Sequence, residues 1–329
     1  MEKVAKVKGP GKAHRKGISM PEIANMFATE AKAIKWFEAW LWPDGEIACL
    51  KCGSLDAYRV RNAKPMPYRC RDCKQYFSLR TNTAMGASKL PLRLWGWAIY
   101  LELTNLKGVS SMKLHRDLGI RQASAWFMLH RIRHAFNGVK LVFDGPVEVD
   151  ETYVGGLEKN KHEKKKLKAG RGPVGKTAVV GIKDRVTKKV AAKVVDSTDS
   201  KTLQGFVQGH VKDDTKVYTD DTSAYKGLPN ERKSVKHSAQ EYVRYLAGET
   251  IHTNGVESFW SMLKRSHKGV YHRLSPKHLQ AYINMMAGRQ NVREMDTLAQ
   301  MQHVVAAMVG QRLMYRDLIA DNGRSAMAR

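Results

Sequence analysis

Val147-Glu148-Val149-Asp150-Glu151-Thr152-Tyr153-Val154-Gly155 is the stretch on which the reading of this chain turns. Apolar and acidic residues alternate over its first four positions, the two-residue period of a strand with one buried face. Val147 and Val149 share one face, and Glu148 and Asp150 share the other. Two more acids stand in comparable places. Asp220 closes a second β-like run, Lys216-Val217-Tyr218-Thr219-Asp220, and Glu257 falls in the first turn of an amphipathic helical stretch that starts at Asn254.

The elements between these acids follow a definite order. Strands are predicted over 147–155, 177–183 and 190–195, the last two joined as a hairpin across Asp184-Arg185-Val186-Thr187. A helix over 203–211, with Ser200 as its cap, precedes a strand over 215–219. This β-β-β-α-β order, with acids closing the first and fourth strands, is an α/β mixed-sheet pattern and the order of a ribonuclease H-like domain. Side chains from neighbouring strands converge at a sheet edge, so Asp150 and Asp220 meet if their strands are adjacent. Glu257, on a helix crossing that edge, completes the set.

Each acid has a plainer explanation. A strand-end Asp is usually a turn former, and an acid in a first helical turn complements the helix dipole. Asp221 rivals Asp220, and Glu148 is either an extra ligand or a supporting group beside Asp150. Gathered together, the three carboxylates suit hard, oxygen-seeking Mg²⁺ or Mn²⁺, and a pair of such ions serves in-line phosphoryl displacement. Lys264 lies seven residues after Glu257, two turns along on the same helix face, where it can contact a phosphate. Phe259, Trp260 and Leu263 form the opposite, buried stripe. His252 and Asn254 are read as ordering the start of that helix.

Composition supplies the partner. The chain has 57 Lys+Arg against 31 Asp+Glu, a formal net charge of +26, which suits a polyanion. Double-stranded DNA is expected rather than a membrane surface, since no run approaches the length of a membrane span and no basic amphipathic helix is evident. The basic N-terminus is not followed by an apolar segment, so it reads as a cationic arm rather than a secretory signal.

The four cysteines, Cys49, Cys52, Cys70 and Cys73, form two Cys-x-x-Cys pairs 17 residues apart. Each pair can turn two sulfurs toward one tetrahedral ion, so one structural Zn²⁺ is expected. A closed four-thiolate set leaves no position for a substrate and therefore grips rather than reacts. Residues 21–42 read as one helix leading into this ribbon, and 91–103 as an apolar helix. Residues 110–118 and 122–136 then form a helix-turn-helix-like pair about Gly119. Arg121, Gln122, Ser124, Arg131 and Arg133 are its candidates for a DNA groove, while Trp126, Phe127 and Leu129 are assigned to the core. Residues 158–176, rich in Lys and Gly, read as a mobile basic loop beside the first acid.

Three motifs together resemble those of a known family. They are VEVDETYVGG (147–156), YTDDTSAY (218–225) and HTNGVESFWSMLKR (252–265), with YHRLSPKHLQ (271–280) as a continuation. Their combination, behind a zinc ribbon, resembles the bacterial insertion-sequence transposases with a DDE catalytic domain, over about residues 20–295. The resemblance implies catalytic metal ligands at Asp150, Asp220 and Glu257, with Lys264 as the basic residue two turns on. Some members carry an asparagine near the third acid, which keeps Asn254 as an alternative participant.

The resulting expectation is a basic arm (1–17), helix plus zinc ribbon (18–80), a helix-turn-helix-like DNA-binding segment (81–140), a ribonuclease H-like catalytic domain (141–295) and a C-terminal helical tail (296–329). As a bacterial, cytoplasmic, nucleoid-associated transposase it would need one Zn²⁺ and about two Mg²⁺ or Mn²⁺ ions. It would cleave DNA at terminal inverted repeats, join the ends to target DNA and work as a homo-oligomer, in the first instance a dimer. The rivals are a nuclease or resolvase of the same fold without strand transfer, and a zinc-ribbon DNA-binding protein without catalysis.

Overall fold

A computed structural model describes residues 15–320, apart from 138–140, 157, 161, 168–173, 237, 238, 240 and 247. The chain divides into two compact units, one built from residues 1–137 and 292–321 and the other centred on 138–291. Most of the expected basic arm, and the last residues of the chain, lie outside the described residues.

The first unit opens with two helices where the sequence predicts one. α1 (Met20–Met26) and α2 (Glu30–Leu41) are separated at Phe27. Ser19 and Glu22 form a reciprocal capping box at the start of α1, and the Thr29 side chain accepts from the Lys32 N–H to cap α2. The break lets Phe27 turn inward against Gly96, where a β-carbon would come within 2.4 Å of the ring. Apolar periodicity runs through such a break, because both helices bury the same side.

A three-stranded antiparallel ribbon follows: β1 (Ala57–Arg59), β2 (Tyr68–Cys70) and β3 (Tyr76–Phe77). Tyr68 and Phe77 stack at 5.4 Å with Trp42 edge-on to both, which gives the ribbon a small aromatic core. The four cysteine sulfurs lie within 4.8 Å of one another. Two of their separations are 3.8 Å (Cys49–Cys73) and 3.7 Å (Cys52–Cys70). An ion with Zn–S bonds of about 2.3 Å has tetrahedral edges of about 3.8 Å, so the sulfurs already have the spacing of a zinc site. They are too far apart for disulfides. Backbone N–H groups of Cys73 and Asp72 pull the Cys70 thiol down to about 7, while burial and the neighbouring sulfurs push that of Cys52 up to about 12, so without an ion the four thiols give up their protons unevenly.

α3 (Leu92–Thr104), α4 (Ser111–Leu118) and α5 (Gln122–His134) complete this part of the unit. Gly119 ends α4 with φ 63°, the left-handed cap that glycine adopts without strain, and starts the tight turn into α5.

In the second unit the central sheet has the order β6-β5-β4-β7-β8. It comprises β4 (Val147–Val154), β5 (Thr177–Asp184), β6 (Val190–Val195), β7 (Val217–Asp220) and β8 (Arg232–Val235). β4, β5 and β6 run antiparallel, and β7 and β8 add in parallel. α6 (Ser200–Gln208) connects β6 to β7, capped by the Asp199 carboxylate rather than by Ser200. On its side of the sheet Val147, Val149, Ile182 and Val217 form the core with Leu203, Phe206 and Val207. A small hairpin, β9 (Arg244–Leu246) with β10 (Glu249–Ile251), precedes α7 (Asn254–Ser266), which packs on β4 and β5. α8 (Pro276–Asn291) covers β6, with Gln280 and Asn291 hydrogen-bonded to its backbone. The fifth strand, β8, escapes the sequence reading because Arg-Lys-Ser-Val carries no alternation. The expected basic loop contains two short 3₁₀ turns, Glu158–Asn160 and Glu163–Lys165; part of it lies outside the described residues.

Residues 292–320 belong to the first unit, both the four residues (292–295) expected to end the catalytic domain and the described part of the expected tail (296–329). α9 (Thr297–Ala307) packs on α2 and α3, and α10 (Tyr315–Ile319) brings Tyr315 against Phe127 of α5.

Purified protein is expected to contain about one zinc per chain. Replacing Cys70 and Cys73 together by serine should release it and raise amide exchange across residues 49–77. Unchanged protection in that zinc-free variant would remove the metal from the account of the fold.

Candidate active site

Strand register brings the first two acids together. β4 and β7 pair in parallel with Glu148 opposite Tyr218. Two residues further along each strand stand Asp150 and Asp220, at one level and on one face. β5 supplies Gly181 as the antiparallel partner of Asp150.

The third acid arrives on α7. Val256, Phe259, Trp260 and Leu263 form its buried stripe, and Glu257 projects beside it. The helix lies unusually close to the sheet. A β-carbon on Gly181 would meet the Trp260 ring at 2.6 Å, and one on Gly255 would meet the Glu148 carboxylate at 2.5 Å. Both glycines therefore mark close approaches that a side chain could occupy only if Trp260 or the Glu148 carboxylate moved.

A hollow of about 430 Å³ opens at this junction, lined by Asp150, Glu151, Glu257, by Lys264 and Arg265 of α7 and by Lys268 of the π-helical turn that follows it (His267–Tyr271), with Thr152, Trp260 and Ser261. Three of the four residues expected to act together thus share one wall. Asp220 is coupled to them through charge rather than through the lining. Burial pushes the Asp150 carboxyl up to about 7, aided by the neighbouring charges of Glu151, Asp220 and Glu257. Glu151 is raised as well, mainly by burial, although it accepts a 2.7 Å hydrogen bond from the Tyr225 hydroxyl.

These carboxylates are hard oxygen donors whose mutual repulsion raises the Asp150 pKa, a set that fits a divalent cation. Among the described residues, the ligand atoms that close to within 4.8 Å as a group are those of the cysteines, and the carboxylates stand further apart.

Asp220 also does what a strand-end aspartate ordinarily does. It accepts from the Thr222 N–H (3.1 Å) and hydroxyl (2.6 Å), shaping the turn after β7. Arg232 of β8 steadies the same corner by donating to the Asp220 carbonyl at 2.8 Å. Asp221, the sequence rival, is exposed. Glu257 accepts from the Thr253 hydroxyl at 2.7 Å. Asn254 is exposed at the helix start and does not line the hollow.

Glu148 is neither exposed nor in the hollow. It is 2% exposed, accepts from Arg185 Nε (2.9 Å) and from the Val256 N–H (3.0 Å), and lies 3.2 Å from His252 Nδ1. It fastens the start of α7 to β4. His252 is held in this cluster rather than turned to the hollow, and burial with the nearby Arg185 lowers its pKa. The sequence reading left out Arg185, Glu151, Arg265 and Lys268. The last could have been found, since Lys264 and Lys268 are one helical turn apart; nothing in the sequence pairs Glu151 with Tyr225.

The groove candidates on α5 separate. Arg121 and Gln122 are exposed, Gln122 donating to Ser111 Oγ at 2.8 Å. Arg133 is 1% exposed and lies 3.7 Å from the fully buried Glu102, so it faces the core of the first unit and not a groove. Arg131 is also buried, against the Phe127 ring at 4.0 Å. Leu129 is core as expected, whereas Trp126 and Phe127 are half-buried.

Residues 142–291 match the ISXO2-like transposase domain family, and residues 28–76 match the transposase zinc-ribbon domain family. The chain is also 26% identical over 273 residues to an uncharacterized protein in transposable element ISH50 of Halobacterium salinarum, covering 78% of this chain and 90% of that protein. The two matched segments coincide with the cysteine ribbon and with the sheet that carries Asp150 and Asp220. The chain belongs to the insertion-sequence transposases that join a zinc ribbon to a ribonuclease H-like DDE domain.

Proposed function

We propose that the chain cleaves DNA at the ends of its element and joins the freed 3′ ends to target DNA, with Asp150, Asp220 and Glu257 as the residues that hold divalent metal. The observation that carries this reading is the parallel register that sets Asp150 beside Asp220 at the foot of α7. When bound, a pair of such ions turns a water or a 3′-hydroxyl into a nucleophile and stabilises the departing oxygen. The chain's own task is positioning. Lys264, Arg265 and Lys268 offer three cations along one wall to the phosphates that approach the acids. Glu151, held by Tyr225, adds negative charge at the same wall. No serine or tyrosine nucleophile is assigned, because both steps are direct displacements at phosphorus. Two element ends have to be handled together, so the reaction is assigned to a homo-oligomer, in the first instance a dimer.

Asp150→Ala, Asp220→Ala and Glu257→Ala are each expected to lower cleavage of terminal-repeat DNA by at least about 10³-fold, equivalent to about 4 kcal/mol of barrier. Cleavage at the parental rate by any one of them would strike that residue from the site. Pre-cut ends with Mg²⁺ should give joined product; hydrolysis alone would make the protein a nuclease of this fold.

The raised pKa of Asp150 makes a second test. Its folded value, about 7, lies well above the 3.8 of an ordinary aspartate, so the native state binds the extra proton between these limits. Without divalent metal, this group favours folding less as pH rises from 4 toward 7. Asp150→Asn should therefore gain stability relative to the parent as pH rises through this window. Mg²⁺ should stabilise the parent more at pH 8 than at pH 5, since it competes with that proton. Equal Mg²⁺ stabilisation at both pH values would contradict the assignment.

The fastening of α7 can be tested without catalysis. Glu148→Ala leaves Arg185 Nε and the Val256 N–H without their acceptor, while Arg185 keeps the Thr250 and His252 carbonyls, so a loss of about 1–3 kcal/mol is expected. A lowered Tm and faster amide exchange at residues 256–259 are expected. Exchange there at the parental rate would show that α7 is held by its apolar stripe alone.

A further inference from the structure

We infer that the first unit contains a second DNA site, a pocket that takes one unpaired nucleotide. The pocket is a hollow of about 800 Å³ bounded by the ribbon's edge, the segment after β3, α5 and the segment leading into α10. Its cations are Lys51, Arg80, Arg131 and Arg312, and no Asp or Glu lines it. Phe127 and Tyr315 form an aromatic wall, their rings edge-on at 5.3 Å.

Arg131 carries the argument. It is 7% exposed, lies over the Phe127 ring at 4.0 Å, and has no acidic partner among the described residues. Its Nε is buried without a hydrogen-bond acceptor. A buried guanidinium is ordinarily paired, because the interior solvates charge poorly. Here burial works against the charged form with no anion opposing it. An anion entering the hollow would supply the missing acceptor. Arg80 adds a partly compensated cation, held by the Leu90 carbonyl at 2.9 Å and Glu30 at 3.6 Å. Arg312 stands exposed at the rim.

Anion recognition alone would need only the arginines. The adjoining aromatic wall and the size of the hollow fit a phosphate that brings a flat ring with it. A base within a duplex keeps both faces stacked and cannot use such a wall, so the ligand is a nucleotide out of the stack. This inference deepens the DNA-handling reading above, but it involves neither the acids nor divalent metal.

The test is equilibrium binding of the full, zinc-loaded chain to a labelled duplex of arbitrary sequence and to the same duplex with one extra unpaired nucleotide, in EDTA-free buffer without Mg²⁺. The unpaired nucleotide is expected to tighten binding about tenfold or more, in the range that base–aromatic stacking provides. Arg131→Met keeps the apolar stem and removes the charge. It should abolish that preference while leaving binding of the plain duplex unchanged, with Tm equal to or above the parent because an unpaired buried charge is gone. Tyr315→Ala, at the exposed edge of the wall, should weaken the preference in part.

Equal affinity for the two duplexes, or a preference that survives Arg131→Met, would overturn the proposal. Free deoxyadenosine monophosphate competing at the affinity of the interrupted duplex would overturn the assignment to DNA. Because the acids and Mg²⁺ are idle here, a failure would leave the cleavage assignment standing, and a failed cleavage assay would leave this one.

Discussion

One buried carboxylate decides where α7 begins. Glu148 accepts from Arg185 and from the Val256 N–H at the N-terminal end of α7. Arg185 in turn donates to the carbonyls of Thr250 and His252 at 2.7 Å and lies over the Tyr218 ring at 3.7 Å. A single ion pair thus joins β4, the end of β5, β7 and the chain that leads into α7. A buried pair of this kind adds little net stability compared with an apolar replacement, since desolvating both partners offsets their attraction. Its effect is on register. An apolar stripe can slide along a sheet by a turn at small cost, whereas a carboxylate that must meet both a guanidinium and one particular N–H cannot. The positive end of the helix dipole favours the same position.

The close packing follows from that fixed start. With α7 anchored over Glu148, Trp260 lies over Gly181, directly across the β4–β5 ladder from Asp150. The indole excludes water from one side of Asp150, and Asp220 crowds it from the neighbouring strand. Desolvation and like charge then act together to raise its pKa. The anchor that orders the helix therefore also crowds the acids, and under the proposed reading a divalent cation would relieve their repulsion.

Much of this could be read from the sequence, and the failures have particular causes. Alternation in Val147–Val154 gave the correct faces, because a two-residue period leaves no freedom once the valines are buried. The cysteine spacing sufficed for the ribbon, since tetrahedral geometry constrains it from outside the chain. The sequence left Asp221 as a rival to Asp220, and of the two it is Asp221 that lies exposed. Long-range pairing was hidden. Arg185 sits in a hairpin turn, where an arginine ordinarily faces water, and only the fold brings residues 250–256 to it. Arg131 and Arg133 were read as one groove-facing set because both lie on a basic helix. Their spacing of two puts them on different sides, and each is buried in its own environment. Residues 292–320 gave no sign that they would complete the first unit, because a helix's apolar side does not name the surface it meets.

The two units share an energetic peculiarity that folding alone does not explain. In one, half-buried carboxylates crowd one another, with cations only along the facing wall of the hollow; in the other, Arg131 is buried without an anion. Each arrangement costs stability in the free protein, and a chain selected only to fold would have replaced these groups with neutral ones. DNA and its divalent counterions carry the complementary charges. A substrate that is itself a polyanion surrounded by cations can compensate both defects when it binds, so the stability given up in the free chain is recovered as binding free energy. On a surface with a large positive excess, general attraction to DNA is inexpensive to evolve and indiscriminate. The uncompensated buried charges are what can make the contact particular, because each is satisfied only by a group of one sign brought to one place.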